Sequence, residues 1–440
     1  MQVGGRPVRL EISREETIYG TRTRHQITGH TKAVVTKDGQ FLARKLEAFA
    51  NNGGYASHGH AICANCGNVY KELYQDKLGT EVDCWTVYTN APTAGAMRAY
   101  GIPQSVWFTE CQTDDIAKKL GIDPLELRMK NCMPAGFKDP HNGITFHSYG
   151  LKQTMEKGAE LVHWKEKRAE YDKPQSGEKR RGIGMAIFCY KTGVYPIALE
   201  TASARMVLNQ DGSAQLFMGA TEIGQGADTV FVQMAAESSG LRFEDIYIES
   251  TQDTDTAPFD TGAYASRQTY VSGKACKKVA EEFKRKIIDY AVYMVNHAVE
   301  DFSKTVYANE VCSAAKEIRE AYGLQEDAEI TKDMLDVLES EIIEKKNGKA
   351  VLPLRILADT AFYSLDRSVH ITAELTNHCK ENSFSSGACF VEVEVDIPLG
   401  LVEVKNLVQV HDSGVIINHA TATGQVHGGI AQSIGYALSE

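Results

Sequence analysis

The chain has 440 residues, of which 43% are hydrophobic and 24% are charged, and its formal net charge is -11. This composition is typical of globular proteins with two or three domains and excludes disordered and fibrous classes. An acidic chain lacks the basic surface that binds nucleic acids or anionic membranes, and no apolar leader or long apolar run is visible. We therefore expect a cytoplasmic protein whose partners are small molecules and other subunits.

The ten cysteines do not have the spacing of a disulfide framework, which favours a reducing compartment. Cys63 and Cys66 form a C-x-x-C pair, but zinc and iron–sulfur sites usually need a second close pair. His58 and His60 precede that pair and have no carboxylate or third ligand nearby in sequence. We interpret the thiols as half-buried and keep a metal or redox site at either pair as the less favoured alternative.

In chain order, the first part of the sequence mixes strand and helix patterns. The predicted elements are a strand at 8–13, a hairpin at 34–50 turning at Asp38-Gly39, a loop at 51–68, a strand at 84–90, and helices at 103–120, from Asp123-Pro124 onward, and at 151–171. The stretch 171–182 is polar, charged and turn-rich. It predicts a domain boundary near residue 175.

The second part of the chain repeats this mixture. The predicted elements are strands at 182–190, 201–219 (a hairpin turning at Asp211-Gly212) and 245–250, a helix at 272–297, a charged helical excursion at about 298–350, a strand pair at 391–410, and a last loop and helix that begin at 423. Strands lead into loop-and-helix units in both parts. The fold class that we expect is α+β, with two mixed domains, 1–175 and 176–440.

One glycine-rich stretch stands out as a binding loop, GATEIGQGADT at 219–229. Thr221, Glu222, Gln225 and Asp228 alternate there with glycines, at a predicted strand-to-helix turn where backbone N–H groups would be free for a phosphate or a flat heterocycle. The stretch matches neither the dinucleotide nor the P-loop fingerprint. A general-base role is open to both carboxylates, and the alternative is that they satisfy N–H groups of the loop or of the helix N-terminus.

A second loop of the same character, DTGAYASRQTYVSG at 260–273, can close on the same ligand. Further stretches of interest are GRPVRLEISREE at 5–16, NAPTAGAMRAYGIPQ at 90–104 and HDSGVIINHATATGQVHGGIAQSIGYALSE at 411–440. Together the five motifs resemble the molybdenum cofactor-binding subunit of xanthine dehydrogenase and its molybdenum hydroxylase relatives. The resemblance implies two mixed α/β domains of that large-subunit type with a cofactor cleft between them: the C-terminal part of a first cofactor-binding domain, and a second one incomplete at its C-terminus.

The resemblance also implies roles for particular residues. Arg98 and Ala265 match positions whose backbone lies beside the molybdenum, and neither is a side-chain ligand of the metal. Tyr100 matches an aromatic position against the flat substrate; an ordinary half-buried tyrosine is the alternative. The cofactor-binding residues implied are Arg98, Gly224, Gln225, Ala265, Ser266, Arg267, Gln268 and Gln425.

The activity implied is oxidative hydroxylation of a purine (hypoxanthine or xanthine) or a related N-heterocycle, with water as the oxygen source. The cofactor would be molybdopterin or its cytosine dinucleotide, and FAD and [2Fe-2S] clusters would lie on partner subunits. No residue matches the family's catalytic glutamate, so we expect the base beyond Glu440, in remaining segments of the molybdenum subunit. The alternatives are a non-catalytic cofactor-binding or assembly subunit, or a split subunit acting on nicotinate-like rings or aldehydes.

Overall fold

The computed structural model describes residues 3–139, 143–198, 200–250, 253–303, 305–365 and 367–439. The chain forms two compact units, Met1–Lys191 with Ser383–Gly414, and Thr192–Asn382 with Val415–Glu440. The chain therefore passes between the units at three places, whereas the sequence suggested one boundary near residue 175. The difference arises because strand Lys179–Lys191 pairs along its whole length with Phe384–Asp396, almost two hundred residues later.

The described part of the first 191 residues supplies six helices and four strands to the first unit. These are α1 (Arg14–Gly20), β1 (Ile27–Val35), β2 (Phe41–Asn51), α2 (Gly59–Glu72), β3 (Gly79–Val87), α3 (Ile102–Leu120), α4 (Pro124–Asn131), α5 (Leu151–Val162), α6 (Trp164–Tyr171) and β4 (Lys179–Lys191). The hairpin at Asp38-Gly39 and the start of α4 are confirmed, since Asp123 accepts the N–H groups of Leu125 and Glu126. The predicted strand at 8–13 is wrong, because that stretch is exposed and unpaired.

The middle of the chain builds the second unit. Its elements are β5 (Glu200–Leu208), β6 (Ala214–Met218), α7 (Ala227–Ser239), β7 (Ile246–Ser250), a π-helical turn (Gln268–Ser272), α8 (Gly273–Asn296), α9 (Ala308–Tyr322), β8 (Leu335–Leu338), β9 (Glu341–Glu344), β10 (Lys349–Pro353), α10 (Leu354–Tyr363) and β11 (Thr372–Cys379). The prediction of a helical excursion at 298–350 is correct only for its first half. α9 is a helix, but β8, β9 and β10 pair as an antiparallel sheet.

The last segment returns to the first unit and then to the second. It forms β12 (Phe384–Asp396), β13 (Leu401–Asp412) and α11 (His419–Leu438). The predicted strand pair at 391–410 is confirmed by the antiparallel pairing of β12 with β13. Mixed helices and strands in both units confirm the α+β class. Within the described ranges, we find no helix that is both long and apolar enough to span a membrane.

The first unit contains two three-stranded sheets, β1-β2-β3 and β13-β12-β4. Helices α2 and α3 pack on the first sheet, and α5 packs on β12 and β13. Apolar side chains occur on one stripe of α2, at Ile62, Cys66, Val69 and Tyr70, and all are buried. This stripe explains why 59–72 is a helix although we predicted a loop at 51–68.

The second unit is organised by the sheet β11-β5-β6-β7. β6 and β7 are parallel, and the crossover between them is α7. α7 packs on α8, and α8 packs on β5 and β11, so their apolar faces form one buried core with the sheet. The loop after β6 and the loop before α8 therefore belong to one compact body.

Glu72, the last residue of α2, is a carboxyl group placed where its charge is costly. Its Oε2 atom is buried and, among the residues described, has no hydrogen-bond partner. Burial raises the pKa of Glu72 to about 7, although nearby Lys191 opposes the shift. The unfolded chain ionises near its ordinary value of 4.5, so the stability present below pH 4.5 is lost as the pH rises to 7.

We expect Glu72→Gln to stabilise the first unit at pH 8 by about 1–3 kcal/mol and to have little effect below pH 4.5. Urea unfolding at both pH values, followed by tryptophan fluorescence, measures this, because all three tryptophans (Trp85, Trp107 and Trp164) lie in that unit. The control is Glu156→Gln on the exposed face of α5. An equal effect of Glu72→Gln at both pH values would contradict the assignment.

Candidate functional site

The loop that joins β6 to α7 is the centre of the candidate site in the second unit. It starts at Gly219, where a Cβ atom would lie 2.2 Å from the carbonyl oxygen of Pro258, so the loop passes in direct backbone contact with the stretch that precedes the second loop. It ends at Gly226, the residue before α7, whose φ of 85° favours glycine. Between these points, Gly224 borders open space.

Glu222 caps this loop with its own side chain. Its Oε1 accepts the N–H of Gly224 at 2.7 Å and of Gly226 at 3.1 Å, and its Oε2 accepts the N–H of Asp228 at 3.2 Å. Burial alone would raise the pKa of Glu222. The hydrogen bonds from the N–H groups of Asp228, Gly226 and Gly224 have the larger combined effect, so the pKa of this carboxyl is lowered. The interpretation that this carboxylate satisfies loop N–H groups is confirmed.

The expectation of free backbone N–H groups at this turn is wrong. Glu222 accepts three of them, and the side-chain oxygen of Gln225 accepts the N–H of Ile223 at 2.7 Å. The N-terminus of α7 thus already holds an anion, the Glu222 carboxylate. The helix dipole and the N–H groups stabilise a carboxylate there for the same reason that they would stabilise a phosphate. An anionic ligand would have to displace Glu222 to bind there.

Gln225 and Gln268 connect the two predicted loops. Gln225 Nε2 donates to Gln268 Oε1 at 2.5 Å and to the carbonyl of Thr221 at 3.2 Å, and Gln268 Nε2 donates to the same carbonyl at 2.9 Å. Both side chains are half-buried. The structure therefore brings together two residues that the sequence separates by 43 positions.

The second loop has unusual backbone geometry. Ala265 and Ser266 have φ values of 47° and 52°, which side-chain-bearing residues rarely adopt. The Ala265 carbonyl accepts the N–H of Gly193 at 2.8 Å. Strained backbone of this kind persists where the surroundings fix it, and it is concentrated at binding sites.

Arg267 fixes the backbone of this loop through its buried side chain. Its fully buried guanidinium donates to Glu200 at 2.5 Å, to Asp260, to the carbonyl of Gly262 at 3.1 Å and to the carbonyl of Thr201 at 2.6 Å. Burial opposes the charge, but the two carboxylates outweigh it and raise the pKa of Arg267. The Arg267 side chain is therefore committed to holding the loop and does not extend into solvent.

The first turn of α11 borders the first loop. A Cβ atom on Gly226 would lie 2.8 Å from Cγ2 of Thr421, and Asn418, which caps α11, donates to the Gln233 side chain of α7 at 3.2 Å. Gln425 lies one turn further along α11 and is exposed. The stretches at 219–229, 260–273 and 423–429 thus belong to one body, in which the first two meet through Gln225 and Gln268 and the residues just before the third contact Gly226 and α7.

The remaining candidate residues, Arg98 and Tyr100, lie in the first unit, on the loop before α3. Arg24 donates to the Arg98 carbonyl at 2.5 Å. The Tyr100 hydroxyl is hydrogen-bonded to Nδ1 of His58 at 2.9 Å, and the Tyr100 carbonyl accepts from Asn65 at 2.7 Å. Sequence reasoning considered His58 only as a metal ligand and missed Asn65.

The cysteine and histidine pairs do not form a shared cluster. Cys63 and Cys66 are buried on α2; a hydrogen bond with Cys84, together with burial, raises the pKa of the Cys63 thiol, and burial raises the pKa of the Cys66 thiol. His58 contacts Tyr100, whereas His60 is hydrogen-bonded to Thr86 at 2.7 Å. Across the described stretches of the chain, no three His, Cys, Asp or Glu side chains form a group that could hold a metal ion.

Comparisons with known proteins identify what the chain is similar to. Models of the molybdopterin cofactor-binding domain match residues 1–132 and 157–440. A putative xanthine dehydrogenase molybdenum-binding subunit of Escherichia coli K12 is 39% identical over 439 residues, which is 100% of this chain and 54% of the relative. A probable hypoxanthine oxidase of the same strain is 28% identical and is covered to 42%.

Solved structures agree on the fold. Quinoline 2-oxidoreductase from Pseudomonas putida 86 superimposes with a TM-score of 0.80 at 22% identity, over 99% of this chain and 53% of that chain. At this identity the likeness shows the fold alone. The chain spans about half the length of the first curated relatives it matches.

Proposed function

Because the chain belongs to the molybdopterin cofactor-binding domain family, we propose that it forms the molybdopterin-binding part of a xanthine dehydrogenase-like hydroxylase. The proposed substrate is a purine such as hypoxanthine or xanthine, or a related nitrogen heterocycle, and water supplies the oxygen. The observation that carries the proposal is the hydrogen bond between Gln225 and Gln268, which joins two loops of the motif pattern at one place. FAD and [2Fe-2S] subunits would receive the electrons.

The hydrogen-bonding groups of the Gln225 and Gln268 side chains fit the edge of a pterin. Counting the bonds among described residues, the Gln268 amide keeps one N–H and one oxygen lone pair, and the Gln225 amide keeps a lone pair. Donors and acceptors side by side match a ring edge that itself carries both. Bound molybdenum would supply two-electron redox chemistry, and these amides would fix the orientation of its pterin.

The other candidates have distinct tasks in this proposal. The backbone of Ala265 would lie beside the metal and Ser266 near the pterin or its tail, and the buried Arg267 maintains the conformation of both residues. Gln425 contributes from α11, and Arg98 contributes its backbone. Tyr100 offers its ring to the flat heterocycle, since stacking provides both burial and orientation.

Proton removal during turnover is not assigned to Glu222. Its two oxygens already accept three backbone N–H groups, and the pKa of the carboxyl is lowered, which makes it a weak base near neutral pH. Replacing Glu222 would open the loop, so a loss of activity in such a variant would report folding of the loop.

The natively purified complex tests the proposal. Molybdenum analysis, pterin release and hydroxylation of hypoxanthine or xanthine should all be positive. We expect Gln225→Ala to retain about tenfold less cofactor, because it removes three hydrogen bonds of the two loops, including the one that Gln268 Oε1 accepts.

The matched control for this variant is Gln210→Ala, the same substitution at an exposed glutamine that bonds Asp359 instead. It should retain the full molybdenum content. Equal cofactor loss in both variants, or a native complex without pterin, would contradict the proposed site.

A further inference from the structure

The loop that carries Tyr100 has positive φ at three successive residues. Ala99, Tyr100 and Gly101 have φ values of 71°, 41° and 93°. Two of them bear side chains, and residues with side chains are uncommon in this region. Such a conformation persists only if neighbouring structure specifies it, so the contacts of this turn show what fixes the Tyr100 ring.

One stripe of α2 and the residue before it supplies these contacts. His58 bonds the Tyr100 hydroxyl, Asn65 bonds the Tyr100 carbonyl, and the Ile62 carbonyl lies where a Cβ atom on Gly101 would come within 2.5 Å. His58 immediately precedes α2, and Ile62 and Asn65 follow it at spacings of four and three residues, which places the three on one side of the helix. They contact the hydroxyl, the carbonyl and the next glycine of a single turn.

His58 is the contact that acts on the side chain itself. The two rings are perpendicular, with an angle of 89° and centroids 5.9 Å apart, and the Nδ1 to hydroxyl distance is 2.9 Å. Asn65 and Ile62 contact only the backbone, whereas the hydrogen bond from His58 opposes rotation of the half-buried Tyr100 ring about its side-chain bonds.

We propose that His58 is a positioning residue that fixes the ring of Tyr100 against the heterocyclic substrate. This role rests on the proposed function, in which Tyr100 faces that substrate. His58 does not touch the reacting atoms. Its loss should therefore raise KM more than it lowers kcat, because a mobile ring weakens binding of the substrate without altering the groups that react.

The experiment compares variants of the complete purified complex. His58→Ala and Tyr100→Phe should each raise KM for the hydroxylated purine about three- to tenfold, and the double variant should be no worse than either. His58→Asn should restore much of the lost affinity, because an amide atom attached to Cγ can replace Nδ1. His58→Gln should restore less, since its amide lies one bond further out.

His60→Ala is the matched control. His60 is an exposed histidine two positions away whose ring bonds Thr86 instead of Tyr100, so its variant should keep the wild-type KM. A fluorotyrosine placed at position 100 gives a second readout that needs no turnover. Its fluorine NMR signal should shift in His58→Ala and not in His60→Ala.

The outcomes separate this role from the proposed function. An unchanged KM in His58→Ala, or additive effects in the double variant, overturns the positioning role while leaving hydroxylation in place. A wild-type complex that lacks molybdenum and pterin overturns the proposed function and this role with it. An unshifted fluorine signal in His58→Ala overturns the role by itself.

Discussion

Arg267→Ala should destabilise the second unit by about 3–5 kcal/mol, because it leaves two carboxylates buried without a countercharge. Arg267, Glu200 and Asp260 are all inaccessible to solvent in the present arrangement. The tryptophans lie in the other unit. Hydrogen exchange of peptides from β5 and α8 is therefore the suitable measurement, and protection of these peptides should decrease.

The control is Arg242→Ala, which removes an exposed arginine paired with Asp245 three residues away. Exposed pairs contribute little, so its exchange pattern should match that of the wild type. If Arg267→Ala behaves in the same way, the buried ion pairs do not hold the 262–268 loop, and the fixed backbone at Ala265 needs another explanation.

Gly101→Ala should destabilise the first unit by about 2–4 kcal/mol and disturb the Tyr100 turn. Two effects combine there. The positive φ of 93° disfavours any side chain, and the new Cβ atom would lie 2.5 Å from the Ile62 carbonyl, which belongs to a helix and cannot move alone. Urea unfolding followed by tryptophan fluorescence measures the loss, with Trp107 on the adjoining α3.

Gly121→Ala separates the two effects. Gly121 ends α3 with a φ of 67°, and a Cβ atom there meets nothing within 4 Å. This variant should show only the backbone cost of about 1–2 kcal/mol. An equal loss of unfolding free energy in the two variants would mean that α2 shifts to accommodate the new Cβ atom and therefore does not specify the conformation of the Tyr100 turn.

Local signals explain which elements could be predicted from the sequence. Asp38-Gly39 and Asp211-Gly212 mark hairpins because the required turn favours these residues, and Asp123-Pro124 marks a helix start because it both caps and preorganises the first turn. These preferences act within a few residues. They were confirmed for that reason.

Elements set by distant partners were missed. The stretch around β9 is rich in glutamate and lysine, which favour helix, yet pairing with β8 and β10 and the positive φ at Glu339 and Ser340 make it a β-meander. In α2, the apolar stripe follows a glycine-rich and polar stretch, and that stretch favoured the prediction of a loop. Tertiary pairing outweighed local propensity at β9, whereas the signal for α2 lay in the helical spacing of its own apolar residues.

The candidate site divides in the same way. The pattern of 219–229 and 260–273 correctly indicated two loops that come together, as the bond from Gln225 to Gln268 shows. The pattern could not show that Glu222 occupies the loop N–H groups, or that Arg267 is turned inward. Its partner Glu200 is 67 residues away in sequence. Its other partner, Asp260, is the first residue of the second loop, but the sequence pattern does not indicate that it pairs with Arg267.

The return of the chain to its first unit affects the order in which the protein can be built on the ribosome. β4 is complete at Lys191, but its partner β12 begins only at Phe384. At about 5–20 residues per second, β4 waits roughly 10–40 seconds with an unpaired edge while the second unit is synthesised. Nascent chains with such an edge are prone to join one another, so slower initiation or a chaperone that covers β4 would favour a high yield of native protein.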